Sequence, residues 1–253
     1  MSIFDTHAHY DDRAFDNDRE ALLTVLPEKG VCGVVNAASD LASCRTGFAL
    51  AEAYPYLYAA VGIHPEAALG LPEDYAEQLA AFYAHPKVVA IGEIGLDYHY
   101  EDACPRDMQQ QVFRRQVALA KELDAPIIVH DREAHEDTLA VLREYRPAGV
   151  LHCFSGSVEM MREVVALGMY IGLGGAVTFK NARKPVEVAA AVPLDRLVLE
   201  TDAPYMAPVP LRGHRCDSSL IAHTAARIAE VRGMPVEVLL AATVENARRL
   251  YRL

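Results

Sequence analysis

The chain has 253 residues, 52% of them hydrophobic, and a formal net charge of −11. This composition supports a large apolar core, and no apolar run is long enough to span a membrane. The negative charge weighs against a protein that coats nucleic acid, because such binding relies on Lys and Arg to neutralise phosphates. The 5 cysteines have no paired spacing and the start has no signal-peptide features, which predicts a reduced, cytoplasmic protein.

Short apolar or β-branched runs alternate along the chain with longer segments of helical periodicity. Several runs are almost continuously apolar, as is typical of parallel strands buried on both faces. In chain order the runs are SIFDTHA, VCGVVNA, LYAAVGIHP, VVAIGEIGLD, APIIVHDR, GVLHCFS, GMYIGLGG and RLVLETDAP. There is no low-complexity tract or linker, so residues 1–253 are predicted to form one domain.

The segments between the runs read as helices. In residues 105–126, Pro105 suits a first helical turn, and apolar residues repeat at helical spacing. In residues 217–233 the same spacing ends at Gly233, a typical stop. Eight strand–helix units in a chain of this length predict an α/β protein of the (β/α)8 TIM-barrel class. An open doubly wound sheet is the competing topology, ranked lower because no Gly-rich dinucleotide loop follows the first run.

Polar residues with metal-binding chemistry stand at the ends of most predicted strands. Catalytic residues of a barrel come from the carboxyl ends of its strands, and imidazole and carboxylate groups are ligands for divalent cations. In chain order these residues are His7, His9, His64, Glu93, Asp97, His130, His152 and Asp202. The seventh run ends in glycines instead.

Side chains two residues apart on a strand point the same way. Asp5, His7 and His9 are therefore predicted to share a face that looks into the barrel, with Phe4 on the opposite face toward the helices. The same alternation turns Cys153 away from the histidine before it, so Cys153 is predicted to be a small buried thiol facing the helices.

Each candidate ligand also has a purely structural interpretation. Glu93 and Asp202 follow apolar stretches, where a buried carboxylate is costly unless it is paired or bound to metal. One histidine at the end of an apolar run is often a satisfied core residue, but His130 and His152 together favour a metal site. His64, before a proline, is either a turn histidine or a substrate contact.

Four histidines and two carboxylates from five strands suit two cations, with Glu93 as a bridging ligand. Water bound to such a centre can have its pKa lowered to about 7, which supplies metal-activated hydroxide to attack the substrate. Asp202 is the expected acceptor of the proton from that water. Asp11 and Asp12 are read as loop or helix-capping carboxylates.

Seven motifs in a fixed order cover essentially the whole chain. They are DTHAHYD, VGIHPE, GEIGLDY, PIIVHDREAHEDTL, LHCFSGS, GLGGAVTFKNA and ETDAPYMAPVPLRGHR. With these motifs the chain resembles the TatD family of metal-dependent deoxyribonucleases, within the amidohydrolase-like barrels. The resemblance implies two divalent metal ions, one held by His7, His9 and Asp202, the other by His130 and His152, with Glu93 shared.

The activity implied by the resemblance is hydrolysis of phosphodiester bonds in DNA, as a 3'-5' exonuclease acting on single-stranded or frayed strand ends. His64, Asp97, Arg132 and Arg212 are the predicted substrate-binding residues. For Arg132 a surface salt bridge is an equally good interpretation, and Lys180 is a weaker candidate. No membrane and no obligate protein partner are expected. The ion is Zn, Mn or Mg.

Two departures from the family pattern bear on substrate preference. Glu66 replaces a histidine, and a carboxylate there would weaken a phosphate contact unless it faces away or reaches a metal. Residues 215–218 read Arg-Cys-Asp-Ser, in a loop expected to help shape the substrate mouth. Two other functions stay open: a metal-dependent ester or amide hydrolase such as an aminoacyl-tRNA deacylase, and a non-catalytic binding barrel.

Overall fold

A computed structural model describes residues 2–100 and 104–253, and its centre is an eight-stranded parallel sheet in which the strands follow one another in chain order. Hydrogen bonds also join the ends of the first and last strands: His7 O accepts from Asp202 N at 3.0 Å, and His9 N donates to Ala203 O at 2.7 Å. The strands are β1 Ile3–Ala8, β2 Val31–Ala37, β3 Leu57–Val61, β4 Val88–Asp97, β5 Ile127–Arg132, β6 Gly149–Leu151, β7 Tyr170–Leu173 and β8 Leu197–Leu199.

Helices follow the strands and surround the sheet. They are α1 Arg19–Val25, α2 Leu41–Ala53, α3 Tyr75–Tyr83, α4 Arg106–Glu122, α5 His135–Tyr145, α6 Val158–Ala166, α7 Arg183–Ala191, α8 Ile221–Arg232 and α9 Val236–Tyr251. Pro105 precedes α4 as its N-cap, and Gly233 ends α8 with a left-handed φ of 62°. The predicted (β/α)8 barrel is confirmed, and the doubly wound alternative is wrong because the strand order is sequential. Within the described ranges, no helix is long and apolar enough to cross a membrane.

The interior of the barrel is filled by a cluster of buried side chains to which every strand contributes. Its strand members are Phe4, Val35, Ala60, Val89, Ala90, Ile128, Val150, Tyr170 and Val198. The last turn of α9 packs on the same cluster, and the Tyr251 hydroxyl donates to the Thr6 carbonyl at 2.9 Å. A separate, larger cluster lies between the outer faces of the strands and the helices. The barrel is thus a packed core with its functional groups confined to the mouth.

A register shift in β1 changes which side chains face inward. Between Asp5 and Ala8 the strand advances three residues while β2 advances two, from Val34 to Asn36. An extra residue of this kind reverses the alternation of side chains. Phe4 packs inside the barrel and His7, three positions later, also faces inward, whereas Asp5 bonds to Ser218 ahead of α8. The predicted common face of Asp5 and His7 is therefore wrong.

A second register shift lies in β4, immediately around Glu93. From Ile91 to Ile94 this strand advances three residues, while β5 advances two from Ile127 to Val129. Ala90 faces the interior, and the extra residue allows Glu93, three positions later, to face the interior too. Both shifts thus span a candidate ligand, His7 or Glu93, and direct its side chain into the mouth.

Candidate metal centre

Four ligand atoms from three strands converge on the side of the mouth where β1 meets β8. The Nε2 atoms of His7 and His9 lie 3.0 Å apart. Glu93 Oε2 lies 3.4 Å from the first and 3.5 Å from the second. Asp202 Oδ1 lies 3.7 Å and 3.3 Å from the same two nitrogens. These four atoms form the first cluster.

A second cluster occupies the side nearer β5. Glu93 Oε1 lies 2.9 Å from His130 Nδ1 and 2.7 Å from His152 Nε2, and the two nitrogens are 3.3 Å apart. His64 Nε2 is 3.8 Å from the same oxygen. The other ring nitrogen of His130, Nε2, lies 3.0 Å from Asp97 Oδ2. The two oxygens of Glu93 therefore lie in different clusters.

The charge balance of both clusters favours added positive charge. Burial alone would lower the pKa of His9, but the Asp202 and Glu93 carboxylates outweigh it and raise that pKa to about 10. In the same way, Asp97 and Glu93 outweigh burial and raise the pKa of His130 to about 10. The carboxylates thus stabilise a cation at each place, either a proton or a metal ion.

The geometry of the first cluster fits a divalent ion. Tetrahedral ligands at about 2.1 Å from an ion would stand about 3.4 Å apart. The two nitrogens lie 3.0 Å apart, and each lies 3.3–3.7 Å from the two carboxylate oxygens. Groups of ligands that could hold an ion also recur across both clusters among the described residues: His7, His9 and Asp202; His7, Glu93 and His152; His64, Glu93 and His130. The donor set of imidazoles and carboxylates suits Zn²⁺ and Mn²⁺.

The predicted substrate residues fall in different places. His64 and Asp97 adjoin the second cluster, and His64 also caps the turn Pro65–Ala67, since its Nδ1 accepts from Glu66 N at 3.3 Å. Arg132 lines the cavity above the clusters. Arg212 lies over the ring of Phe179, with its guanidinium carbon 4.3 Å from the ring centroid, and is not among the residues that line the cavity.

The cavity above the clusters has a volume of 840 Å³ and several carboxylates in its lining. Asp11, Asp12 and Glu66 all line it, although the two aspartates are predicted as loop or helix-capping carboxylates. Asp12 does cap the following turn, where its Oδ1 accepts from Ala14 N at 2.7 Å. Glu66 faces the cavity but belongs to none of the ligand groups among the described residues.

The prediction that Cys153 faces the helices is wrong. β6 ends at Leu151, so strand alternation no longer applies two residues later. Cys153 adopts a left-handed φ of 43° and lines the cavity. Its backbone N–H donates to a carboxylate oxygen of Glu200.

Glu200 is a buried acid of the site that the sequence analysis missed. Its Oε1 lies 3.9 Å from His152 Nδ1, and neither that nitrogen nor Glu200 Oε2 has a hydrogen-bond partner among the described residues. Burial raises the pKa of Glu200 to about 8. The sequence does carry a signal for it, because Glu200 directly follows the apolar strand Leu197–Leu199, where a buried carboxylate is costly unless it is paired.

The unusual loop at residues 215–218 does not line the cavity. Arg215 makes a bidentate ion pair with Asp18, at 2.7 and 2.6 Å. Ser218 is buried, where its hydroxyl contacts Asp5 at 2.7 Å and the Tyr10 hydroxyl at 2.7 Å. The expectation that these residues shape the substrate mouth is therefore corrected: they fasten the loop after β8 onto the segment after β1.

Comparisons with known proteins agree with this fold. The family model described as TatD related DNase matches residues 4–252. The metal-dependent hydrolase YabD of Bacillus subtilis is 42% identical over 254 residues, covering 99% of each chain. The 3'-5' ssDNA/RNA exonuclease TatD of Pectobacterium parmentieri is 35% identical over 262 residues, covering 99% of this chain and 100% of that protein. The crystal structure of YJJV, a TatD homologue of Escherichia coli, has a TM-score of 0.92 at 36% identity and covers 99% of this chain and 98% of its own.

Proposed function

The chain belongs to the TatD-related DNase family of metal-dependent hydrolases, and from that premise we propose that it is a 3'-5' exonuclease that removes nucleotides from single-stranded DNA ends. The Pectobacterium parmentieri relative carries that activity in its name. The proposal includes two divalent ions, Zn, Mn or Mg, and a nucleic acid strand end as the substrate.

The observation that carries the proposal is the division of the Glu93 carboxylate between two clusters. Oε2 lies 3.4 Å from His7 Nε2 in the first cluster, and Oε1 lies 2.7 Å from His152 Nε2 in the second. A carboxylate in this position is suited to bridge two ions. Although burial alone would raise the pKa of Glu93, the imidazoles of His152, His7 and His64 hold it well below its usual value, so the bridge is charged.

The proposed ligands are His7, His9 and Asp202 for one ion and His130 and His152 for the other, with Glu93 shared. Paired divalent ions, when bound, lower the pKa of water and neutralise charge on the phosphoryl oxygens.

Within this centre Asp202 is the proposed proton acceptor. Its side chain is 21% exposed to the cavity, whereas that of Glu93 is 4% exposed. Burial opposes its charge, but His9 and His7 hold the pKa of Asp202 below its ordinary value, so it is ionised and able to accept. As the water oxygen bonds to phosphorus, Asp202 takes its proton, and the bond from phosphorus to the 3' oxygen of the preceding nucleotide breaks. That oxygen leaves as an alkoxide and takes a proton from solvent water to become a new 3'-hydroxyl, while Asp202 returns its proton to solvent.

Four further residues are proposed to hold the substrate near this bond. His64 and Asp97 adjoin the second cluster, and Arg132 lines the cavity, where its guanidinium can pair with a phosphate. Arg212, over Phe179, would contact the strand outside the cavity. Binding confined to so few cations reconciles a polyanionic substrate with the net charge of −11.

The test follows a 5'-labelled single-stranded oligonucleotide after metal is added back to chelated protein. We expect shortening from the 3' end by one nucleotide at a time with Mn²⁺, Mg²⁺ or Zn²⁺, and none without metal. His130→Ala should abolish it, whereas His223→Ala, on the exposed surface of α8, serves as the matched control. Immediate release of the labelled nucleotide, uniform cutting of closed circular duplex, or no cutting with any metal would each contradict the proposal.

The acidic side of the cavity favours a second candidate, hydrolysis of a carboxylic ester such as an aminoacyl ester of tRNA. Asp11, Asp12 and Glu66 would repel a polyanion but not an uncharged ester carbonyl, which the same ions would polarise. Assaying aminoacyl esters beside the oligonucleotide separates the two. Protein that loads both ions yet hydrolyses neither substrate would favour a non-catalytic binding barrel.

A further inference from the structure

Two half-exposed tyrosines line the cavity among the described residues. Tyr100 is 51% exposed and Tyr205 is 54% exposed. Tyr100 follows β4 and Tyr205 follows β8, and these strands lie opposite each other in a closed ring of eight. The two rings therefore stand on opposite sides of the metal centre, each with about half of its surface exposed.

Tyr205 is held in place from both ends. Its backbone N–H donates to the Asp202 carbonyl at 2.8 Å, and its hydroxyl donates to Asp12 Oδ2 at 2.9 Å. The ring is thus fixed beside a proposed metal ligand while remaining exposed. A flat aromatic surface ordered in advance loses little conformational entropy when a planar group stacks on it.

The surroundings of the two rings differ in charge. The Arg132 guanidinium carbon lies 5.1 Å from the centroid of the Tyr100 ring. The Tyr205 side carries Asp12, bonded to the tyrosine hydroxyl, and its neighbour Asp11. Asp97 and Asp131 also line the cavity on the Tyr100 side, but each is paired with a histidine, His130 or His135. A phosphate is therefore better placed beside Arg132 than beside Asp11 and Asp12.

We infer that Tyr100 and Tyr205 are base-stacking platforms, with Tyr205 receiving the 3'-terminal base and Tyr100 the base on the other side of the bond to be cut. This rests on the proposed exonuclease function. The terminal nucleoside offers hydroxyl groups and no further phosphate, which suits the acidic side. The rest of the strand carries a phosphate at every nucleotide, which suits the side of Arg132.

The arrangement also selects single strands. A base can stack on a tyrosine only after it leaves the helical stack, and unpairing costs least at a single-stranded or frayed end. Stacking on aromatic side chains tolerates any base. The platforms therefore supply affinity for an unpaired end without reading its sequence.

The first test measures kcat and KM on a single-stranded oligonucleotide for tyrosine variants loaded with metal. Tyr100→Ala and Tyr205→Ala should each lower kcat/KM about 5- to 100-fold, chiefly through KM. Tyr205→Phe keeps the ring and loses the bond to Asp12, so it should retain most of the activity. Val209→Ala, which truncates an exposed side chain of the same loop outside the cavity, is the control. Equal losses for Tyr205→Phe and Tyr205→Ala would overturn the stacking role.

The second test assigns each ring to a base with abasic substrates. If the 3'-terminal residue lacks its base, Tyr205→Ala should cause no further loss of kcat/KM. Tyr100→Ala should still lower kcat/KM on that substrate. With the abasic residue one position inward, the two variants should exchange behaviour. Losses that are the same on intact and abasic substrates, or coupling to the opposite position, would overturn the assignment.

The third test addresses the acidic side of the cavity. A 3'-phosphate should lower kcat/KM relative to a 3'-hydroxyl, and Asp11→Asn should reduce that difference. Equal use of both ends by the wild type would contradict placement of the end beside Asp11 and Asp12. Failure of the proposed function itself would look different, because the wild type would then shorten no oligonucleotide.

Discussion

At the scale of single residues, both ligand clusters depend on Glu93, whose oxygens are divided between them. Glutamine has the same shape but lacks the charge, and it replaces one acceptor oxygen with an N–H donor. We expect Glu93→Gln to bind fewer than two ions and to lose at least about 100-fold in kcat/KM. Elemental analysis of dialysed protein and oligonucleotide assays measure the two effects.

The matched control for that substitution is Glu66→Gln. Glu66 lines the same cavity but belongs to no ligand group among the described residues. It should keep the full metal content of the wild type. If both variants lose metal equally, the effect comes from the charge of the cavity in general and not from a bridging ligand.

Gly172 on β7 makes room for the buried Glu200 carboxylate. A Cβ at this position would stand 2.4 Å from Glu200 Oε2 and 3.1 Å from the backbone of His152. Gly172→Ala should therefore lower the free energy of unfolding by about 1–3 kcal/mol through overpacking, as measured by urea denaturation. Gly174→Ala, whose nearest contact would be 3.4 Å, should cost less. Equal costs would argue against a specific clash with Glu200.

At the scale of elements, the loop after β8 is fastened to β1 through Ser218. Its hydroxyl bonds to the buried Asp5 carboxylate, which also accepts from the Thr201 hydroxyl at 2.6 Å. Removing a partner from a buried carboxylate leaves its charge less compensated. We expect Ser218→Ala to lower the unfolding free energy by about 1–3 kcal/mol. Ser219→Ala, which loses only a bond to Asp217, should change it less in the same denaturation experiment.

Local sequence pattern was enough to predict the barrel and the convergence of its histidines. Apolar runs mark the strands, and a polar group at the end of such a run has few other reasons to be there. The pattern did not predict side-chain orientations that depend on pairing with a neighbouring strand. The register shifts that direct His7 and Glu93 into the barrel depend on pairing with β2 and β5. Cys153 was misplaced because β6 stops two residues before it.

At the scale of the whole molecule, the net charge of −11 limits where a nucleic acid can bind. The cavity of 840 Å³ has Arg132 in its wall, and under the proposed function it takes the cut phosphate and its near neighbours. About three phosphates on a single strand give a slope of about −2 for log affinity against log salt. Measuring KM for a long oligonucleotide over a range of KCl should give that shallow slope. A slope of about −5 would instead indicate an extended binding track.

The bonds that close the barrel lie beside the proposed ligands: His7 O accepts from Asp202 N, and His9 N donates to Ala203 O. An ion bound by His7, His9 and Asp202 would link the two ends of the fold across the seam between β1 and β8. During synthesis that seam remains open until β8 has emerged from the ribosome. Ion binding in the first cluster would therefore come late in synthesis. It would stabilise only a chain that is already complete through β8.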